Sequence, residues 1–239
     1  YIAFIDSGDV YLSHEVQEEM EKTIQANPQV NIFSWPYLID EGISDQHDNR
    51  LHGNVYKRSF LEKYDIAFSK EGSYANEDVG FNRICRMATR HENQLIYYLD
   101  LPVMRFIKEE DSITTRNDSE FIYRYQTRGL SINEIHVIEW CKAHNIDYMG
   151  ELHVIAGAMY YWFLLTVVNR PEFIQEAWTG AKIYFDKYKD EIQPNQLIGG
   201  NGYIKKFFLL KKKTNFLINI LRFIDEITKN EIVPDKYLT

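Results

Sequence analysis

The chain has 239 residues, of which 45 % are apolar and 15 % aromatic, enough for one large core or two small ones. Its formal net charge of −8 excludes a nucleic-acid binder that works through a broad positive field. Two cysteines without CxxC spacing, Cys85 and Cys141, exclude a disulfide framework and are expected to be buried, reduced thiols of a cytoplasmic protein.

In chain order, short β-like runs at Ile2–Ile5, Val30–Phe33, Gln94–Leu99 and Val103–Phe106 alternate with helical stretches at Ser13–Ala26, Lys57–Lys63 and Asn76–Arg90. Alternation of this kind reads as an α/β unit. Beyond residue 115 helical periodicity takes over, at Ser119–Gly129, Ser131–His144, Leu152–Asn169, Pro171–Asp190 and Asn201–Asn230. Pro171 is expected in the first turn of its helix, where its missing amide costs nothing. The segment Gln193–Gly202, with one proline and three glycines, reads as a loop. The run Leu152–Asn169 has 18 residues without a charge, only just the length that crosses a bilayer. Its small residues Ala156, Gly157 and Ala158 suit close helix packing, so a buried helix is expected.

The chemistry-bearing residues fall in four places. Asp6 and Asp9 follow an apolar run, as when a buried strand delivers carboxylates to a sheet edge; taken alone, Asp6-Ser7-Gly8-Asp9 reads rather as a turn. Glu77 and Asp78 open a helix that Asn76 would cap, where acidic groups also complement the macrodipole. His52 and Asn54 flank Gly53 ahead of the next helix. The six other histidines show no HxH or HExxH spacing, so a zinc site is not expected.

These places carry a resemblance. FIDSGDVYL, GNVYKRSFLEKYDIAF, YANEDVGFN and EEDSIT stand in the order of the motifs of the inverting family 2 glycosyltransferases of the GT-A fold, over residues 1–115. The resemblance implies the second half of a GT-A, Rossmann-like nucleotide-sugar domain over 1–115 and an α-helical C-terminal region over 116–239. It also implies that roughly 80 to 90 residues of a domain of ordinary size would precede Tyr1. The activity implied is transfer of a sugar from a nucleotide-sugar donor, a UDP-sugar, to a glycan or lipid-linked acceptor. Asp78 would be the base and Glu77 the neighbour that orients the acceptor. Asp6, His52, Asn54 and Ser112 would contact the donor, and Mg²⁺ or Mn²⁺ on the diphosphate would be held by Asp6 and Asp9. The third position of the acidic motif, a metal ligand in the family, is Gly8 here; Glu109 is a candidate replacement ligand, and an exposed acidic loop is the simpler account of it.

The segment Tyr203–Ile224 carries six basic residues and no acid, interleaved with Phe and Leu. Two readings stand level: an amphipathic helix on the core, or a helix on an anionic bilayer, at about 1 kcal/mol per basic residue. The second would put the protein at the inner face of the membrane. It also supplies the alternative function, a non-catalytic relative that binds a membrane or a partner through this segment.

Overall fold

The computed structural model describes residues 1–39, 42–43, 51–71, 77–107, 120–193, 197 and 216–238. The chain forms mixed β-sheets with helices, an α/β architecture, and divides into two compact units: Tyr1–Phe68 with Asp78–Asn117, and Ser69–Glu77 with Asp118–Thr239. Asn76, Glu109, Ser112 and most of Gln193–Gly202 and of the basic segment lie outside the described residues.

The first unit holds two four-stranded sheets of very short strands. β1 (Ile2–Ala3), β6 (Asn54–Tyr56), β3 (Ile32–Ser34) and β7 (Tyr97–Tyr98) make the first sheet in that spatial order. β6 runs antiparallel to β1 and to β3, and β7 runs parallel to β3, so β1, β3 and β7 share one direction. The second sheet is ordered β2 (Val10–Tyr11), β8 (Met104–Phe106), β4 (Tyr37–Ile39) and β5 (Gly42–Ile43). Three times, then, the chain leaves the carboxyl end of a first-sheet strand and enters the second sheet within a few residues: β1 to β2, β3 to β4, and β7 to β8. Backbone bonds stitch this seam, from the Leu99 amide to the Ser34 carbonyl (3.0 Å) and from the Val103 amide to the Pro36 carbonyl (3.1 Å).

Strands this short bury little area each, and the core between them is correspondingly aromatic. Phe33, Trp35 and Tyr37 are almost wholly buried with Met20, Val55, Val103 and Met104. α1 (His14–Ala26) starts where Ser13 caps it, its hydroxyl accepting the Val16 amide. α2 (Arg58–Lys63) follows β6, and α3 (Glu77–His91) is fixed by Phe81, whose ring meets those of Phe4, Tyr56 and Phe68 at 4.5–5.4 Å. At the far end of α3, Glu92 accepts a bond from Asn31, just ahead of β3. The C-terminal end of α3 therefore lies at the amino end of β3, and its first turn points to the carboxyl edge of β1, β3 and β7.

The second unit is helical: α4 (Glu120–Ala143), α5 (Met149–Asn169), α6 (Ile174–Tyr188) and α7 (Phe216–Lys229). Its core combines Phe163, Trp178, Tyr184, Phe185, Tyr188 and Phe223, all fully buried. α5 is long and apolar enough to cross a membrane by length and composition, and 56 % of its apolar window is buried within this unit. Both cysteines are buried thiols outside any disulfide, and burial pushes each thiol up, that of Cys141 to about 12.

Three expectations need correction. Helices over 119–129 and 131–144 are one helix, α4, running through Leu130. The Ser131 hydroxyl, instead of opening a new helix, donates to the Gly180 carbonyl on α6 (2.6 Å), and a Cβ at Gly180 would come within 2.5 Å of Thr127 Oγ1. This close crossing holds α4 straight past Gly129, overriding its low propensity. Pro171 opens a 3₁₀ turn, Pro171–Phe173, and α6 begins only at Ile174. β2, β4, β5 and β6 were not expected: two or three residues show no alternation.

Candidate metal centre

The register of β1 on β6 sets the site. Ile2 faces Tyr56 and Ala3 faces Val55; continuing that count beyond the strands brings Asp6 opposite His52. Asp6 opens a tight turn in which the Asp9 amide donates to the Asp6 carbonyl (3.1 Å). Gly8, third in this turn, has φ +96°, the left-handed backbone such turns require of a glycine. The turn reading and the carboxylate reading of Asp6–Asp9 are thus one structure: the turn sets both acids on the same side of the seam.

Asp9 is anchored there. Its Oδ1 accepts the amide of Ile107, just past β8, at 3.0 Å, and its side chain is only 2 % exposed. His52 Nε2 stands 3.3 Å from Oδ2 of Asp6 and 3.3 Å from Oδ2 of Asp9. The imidazole is held between Tyr37 and Phe106, with ring centroids at 5.4 and 5.0 Å, and its side chain is 10 % exposed. Gly53 behind it has φ +70°, and a Cβ there would fall 2.2 Å from the Trp35 carbonyl oxygen. Only glycine lets the chain turn so close behind His52.

Asp6, by contrast, is 72 % exposed, so the cluster opens to solvent on its side. Among the described residues, Asp9 Oδ2 and both ring nitrogens of His52 are buried and find no hydrogen-bond partner. Nε2 and Asp9 Oδ2 meet only as an ion-pair contact at 3.3 Å, in a class of atom that is nearly always hydrogen-bonded when buried. One ligand atom from each of the three residues lies within 4.8 Å of the others, and two carboxylates with an imidazole fit a divalent cation.

The other candidates lie apart from this triad. Asp78 sits in the first turn of α3, half-buried, its Oδ1 accepting the Val79 amide at 2.8 Å, and Glu77 is the exposed first residue of that helix. The direction of α3 brings Asp78 to the same carboxyl edge as the triad. The Tyr56 phenol is pushed well above its ordinary value by burial first, with Cys85 and Asp78 adding to the shift. Its hydroxyl donates to Asn82 Oδ1, one turn beyond Asp78. Asn54 is 4 % exposed, in register with Ser34.

Sequence reasoning did not find the link between His52 and the aspartates, nor the parts played by Gly53, Tyr37, Phe106 and the Ile107 amide. No local spacing signals them; the signal is the pairing of β1 with β6. Compared with known proteins, the sequence matches no family model and no curated protein.

Proposed function

We propose that this chain is an inverting, nucleotide-sugar-dependent glycosyltransferase whose first unit is the second half of a GT-A domain. The observation that carries the reading is the convergence of Asp6, Asp9 and His52, with His52 Nε2 at 3.3 Å from a carboxylate oxygen of each, at the carboxyl edge of a sheet whose parallel strands are β1, β3 and β7. Crevices at that edge, where chain connections diverge, are where open α/β sheets bind ligands. The four motif segments in family order supply the class of ligand.

A divalent ion, when bound, would neutralise the charge that develops on the departing diphosphate. Asp9 and Asp6 would hold it, Asp9 from the buried side and Asp6 from the solvent side. The Asp78 carboxylate would take the proton of the acceptor hydroxyl. The acceptor oxygen then bonds to the anomeric carbon as the carbon–oxygen bond to diphosphate breaks, and the electron pair leaves with the nucleoside diphosphate. A single displacement needs one such base, on the face opposite the leaving group.

The test is calorimetric titration of UDP and of UDP-sugars with Mn²⁺ into the full chain, paired with release of UDP in the presence of glycan acceptors. Metal-dependent UDP binding that Asp9→Ala abolishes and Asp78→Asn preserves, with turnover lost in both, is the expected pattern. No binding of UDP under any metal condition would sink the reading and favour the non-catalytic alternative.

A further inference from the structure

We propose that His52 is itself a ligand of the divalent ion, through Nε2, and that the site therefore prefers Mn²⁺ and later transition ions to Mg²⁺. The inference rests on the divalent-ion part of the preceding reading and is independent of sugar transfer.

Distances carry the first step. Ligand atoms about 2.1 Å from one cation and at right angles to each other are about 3.0 Å apart, and somewhat farther when the angle opens. The two separations from His52 Nε2 to carboxylate oxygens, both 3.3 Å, have this spacing, yet neither contact has hydrogen-bond geometry. An imidazole placed to bond one carboxylate would lie nearer to that one; this Nε2 is equidistant from two.

Burial carries the second step. The His52 side chain is nine-tenths buried and the Asp9 side chain almost wholly so; among the described residues neither His52 Nε2 nor Asp9 Oδ2 makes a hydrogen bond, and the two stand 3.3 Å apart. A cation between them would give each buried atom the partner that hydrogen bonding does not. The third step is chemical. Mg²⁺ takes oxygen ligands and dehydrates reluctantly, whereas imidazole suits the transition ions, with affinity rising from Mn²⁺ to Cu²⁺ and Zn²⁺ below that peak. At Gly8, where the resembled family has a carboxylate ligand, this chain has none; His52 fills the set with nitrogen instead. The Nδ1 of His52 makes no hydrogen bond, so the ring is oriented by Tyr37 and Phe106 alone. Without the usual anchor on the second nitrogen, affinity is expected about 10- to 100-fold below that of a site that has one.

The experiment is Mn²⁺ titration of the full chain by calorimetry, followed by pulsed electron paramagnetic resonance of the bound ion. Nitrogen modulation from one imidazole is expected in the unaltered protein. It should vanish in His52→Phe, with Mn²⁺ affinity reduced at least ~10-fold and Mg²⁺ affinity changed by less than ~3-fold. Bound Mn²⁺ without nitrogen modulation, or undiminished Mn²⁺ affinity in a folded His52→Phe, overturns His52 as a ligand and leaves the aspartate site standing. Failure of the unaltered chain to bind Mn²⁺ or Mg²⁺ overturns both readings and leaves the three side chains as an ion triad. The spectroscopic result needs no variant, so a His52→Phe chain that fails to fold does not remove the test.

Discussion

Two buried histidines, one in each unit, are treated in opposite ways. His153 on α5 is 3 % exposed; its Nδ1 faces the Met149 carbonyl at 2.5 Å and its Nε2 accepts the Gln193 amide at 2.8 Å. Its tautomer is thereby fixed with the proton on Nδ1. His52 has no hydrogen bond on either nitrogen. In the helical unit Tyr184 donates to the Leu152 carbonyl, Trp178 Nε1 to the Asn230 carbonyl and Ser131 to the Gly180 carbonyl. In the sheet unit the seam leaves an acid and an imidazole open. A buried polar group that is satisfied serves the fold.

Substitutions can break that comparison, beginning with the largest expected effect. Trp178→Ala removes a fully buried ring packed against Phe163, Phe223 and Tyr237 and should cost about 3–5 kcal/mol, read as a lowered denaturation midpoint. Next comes Gly53→Ala, expected to cost about 2–3 kcal/mol through overpacking on the Trp35 carbonyl and the positive φ, and to weaken Mn²⁺ binding by displacing His52. His153→Phe should cost about 1–3 kcal/mol because the Gln193 amide and Met149 carbonyl lose their partner. His52→Phe, in metal-free buffer, should change stability by less than about 1 kcal/mol, since the ring contacts stay and only the two 3.3 Å contacts to Asp6 and Asp9 are lost. If the two histidine variants prove equally destabilising in chemical denaturation, the contrast between them is void.

The smallest effect is in acid. At Glu191 burial raises the carboxyl, but bonds from Lys142 and Tyr148 outweigh it and hold the group below its ordinary value of 4.5; Glu92 is likewise lowered, burial again opposing Lys63, Asn31 and Tyr64. A carboxylate depressed in the folded state stabilises it above 4.5 and loses that contribution as pH falls through the folded value. Stability should therefore decline with acid below about pH 4.5, and a titration of melting temperature with Glu191→Gln should show a shallower decline.

How much of this was legible follows from the length of each element. α1 announces itself by its helical stretch from Ser13 and α5 by its uncharged run, because a helix of several turns repeats its signal. β2 and β5, with two residues each, have no period to read, and the seam they build is a matter of long-range pairing. α4 was misread at Gly129–Ser131 because the residue that decides it, Gly180, lies on another helix. Within the site, Asp6 and Asp9 were legible as acids after an apolar run, and Asp78 as the opening of a helix. His52 was legible only as a neighbour of a turn, since the register linking it to Asp6 is written in Ile2, Ala3, Val55 and Tyr56, none of which carries any chemistry.

The triple crossing from sheet to sheet has a consequence for how such a chain can change over time. Between Ala3 and Val10, between Ser34 and Tyr37, and between Tyr98 and Met104, every residue is counted at both ends by a paired strand. Trp35 and Pro36 alone join Ser34 to Tyr37, so a residue inserted or deleted there would press directly on the register of β4 against β8. The links of 4–9 and 99–103 have length to absorb a change, but Asp6 and Asp9 lie in the first of them and depend on that length for their places beside His52. Side chains on such bridges are more easily exchanged than moved.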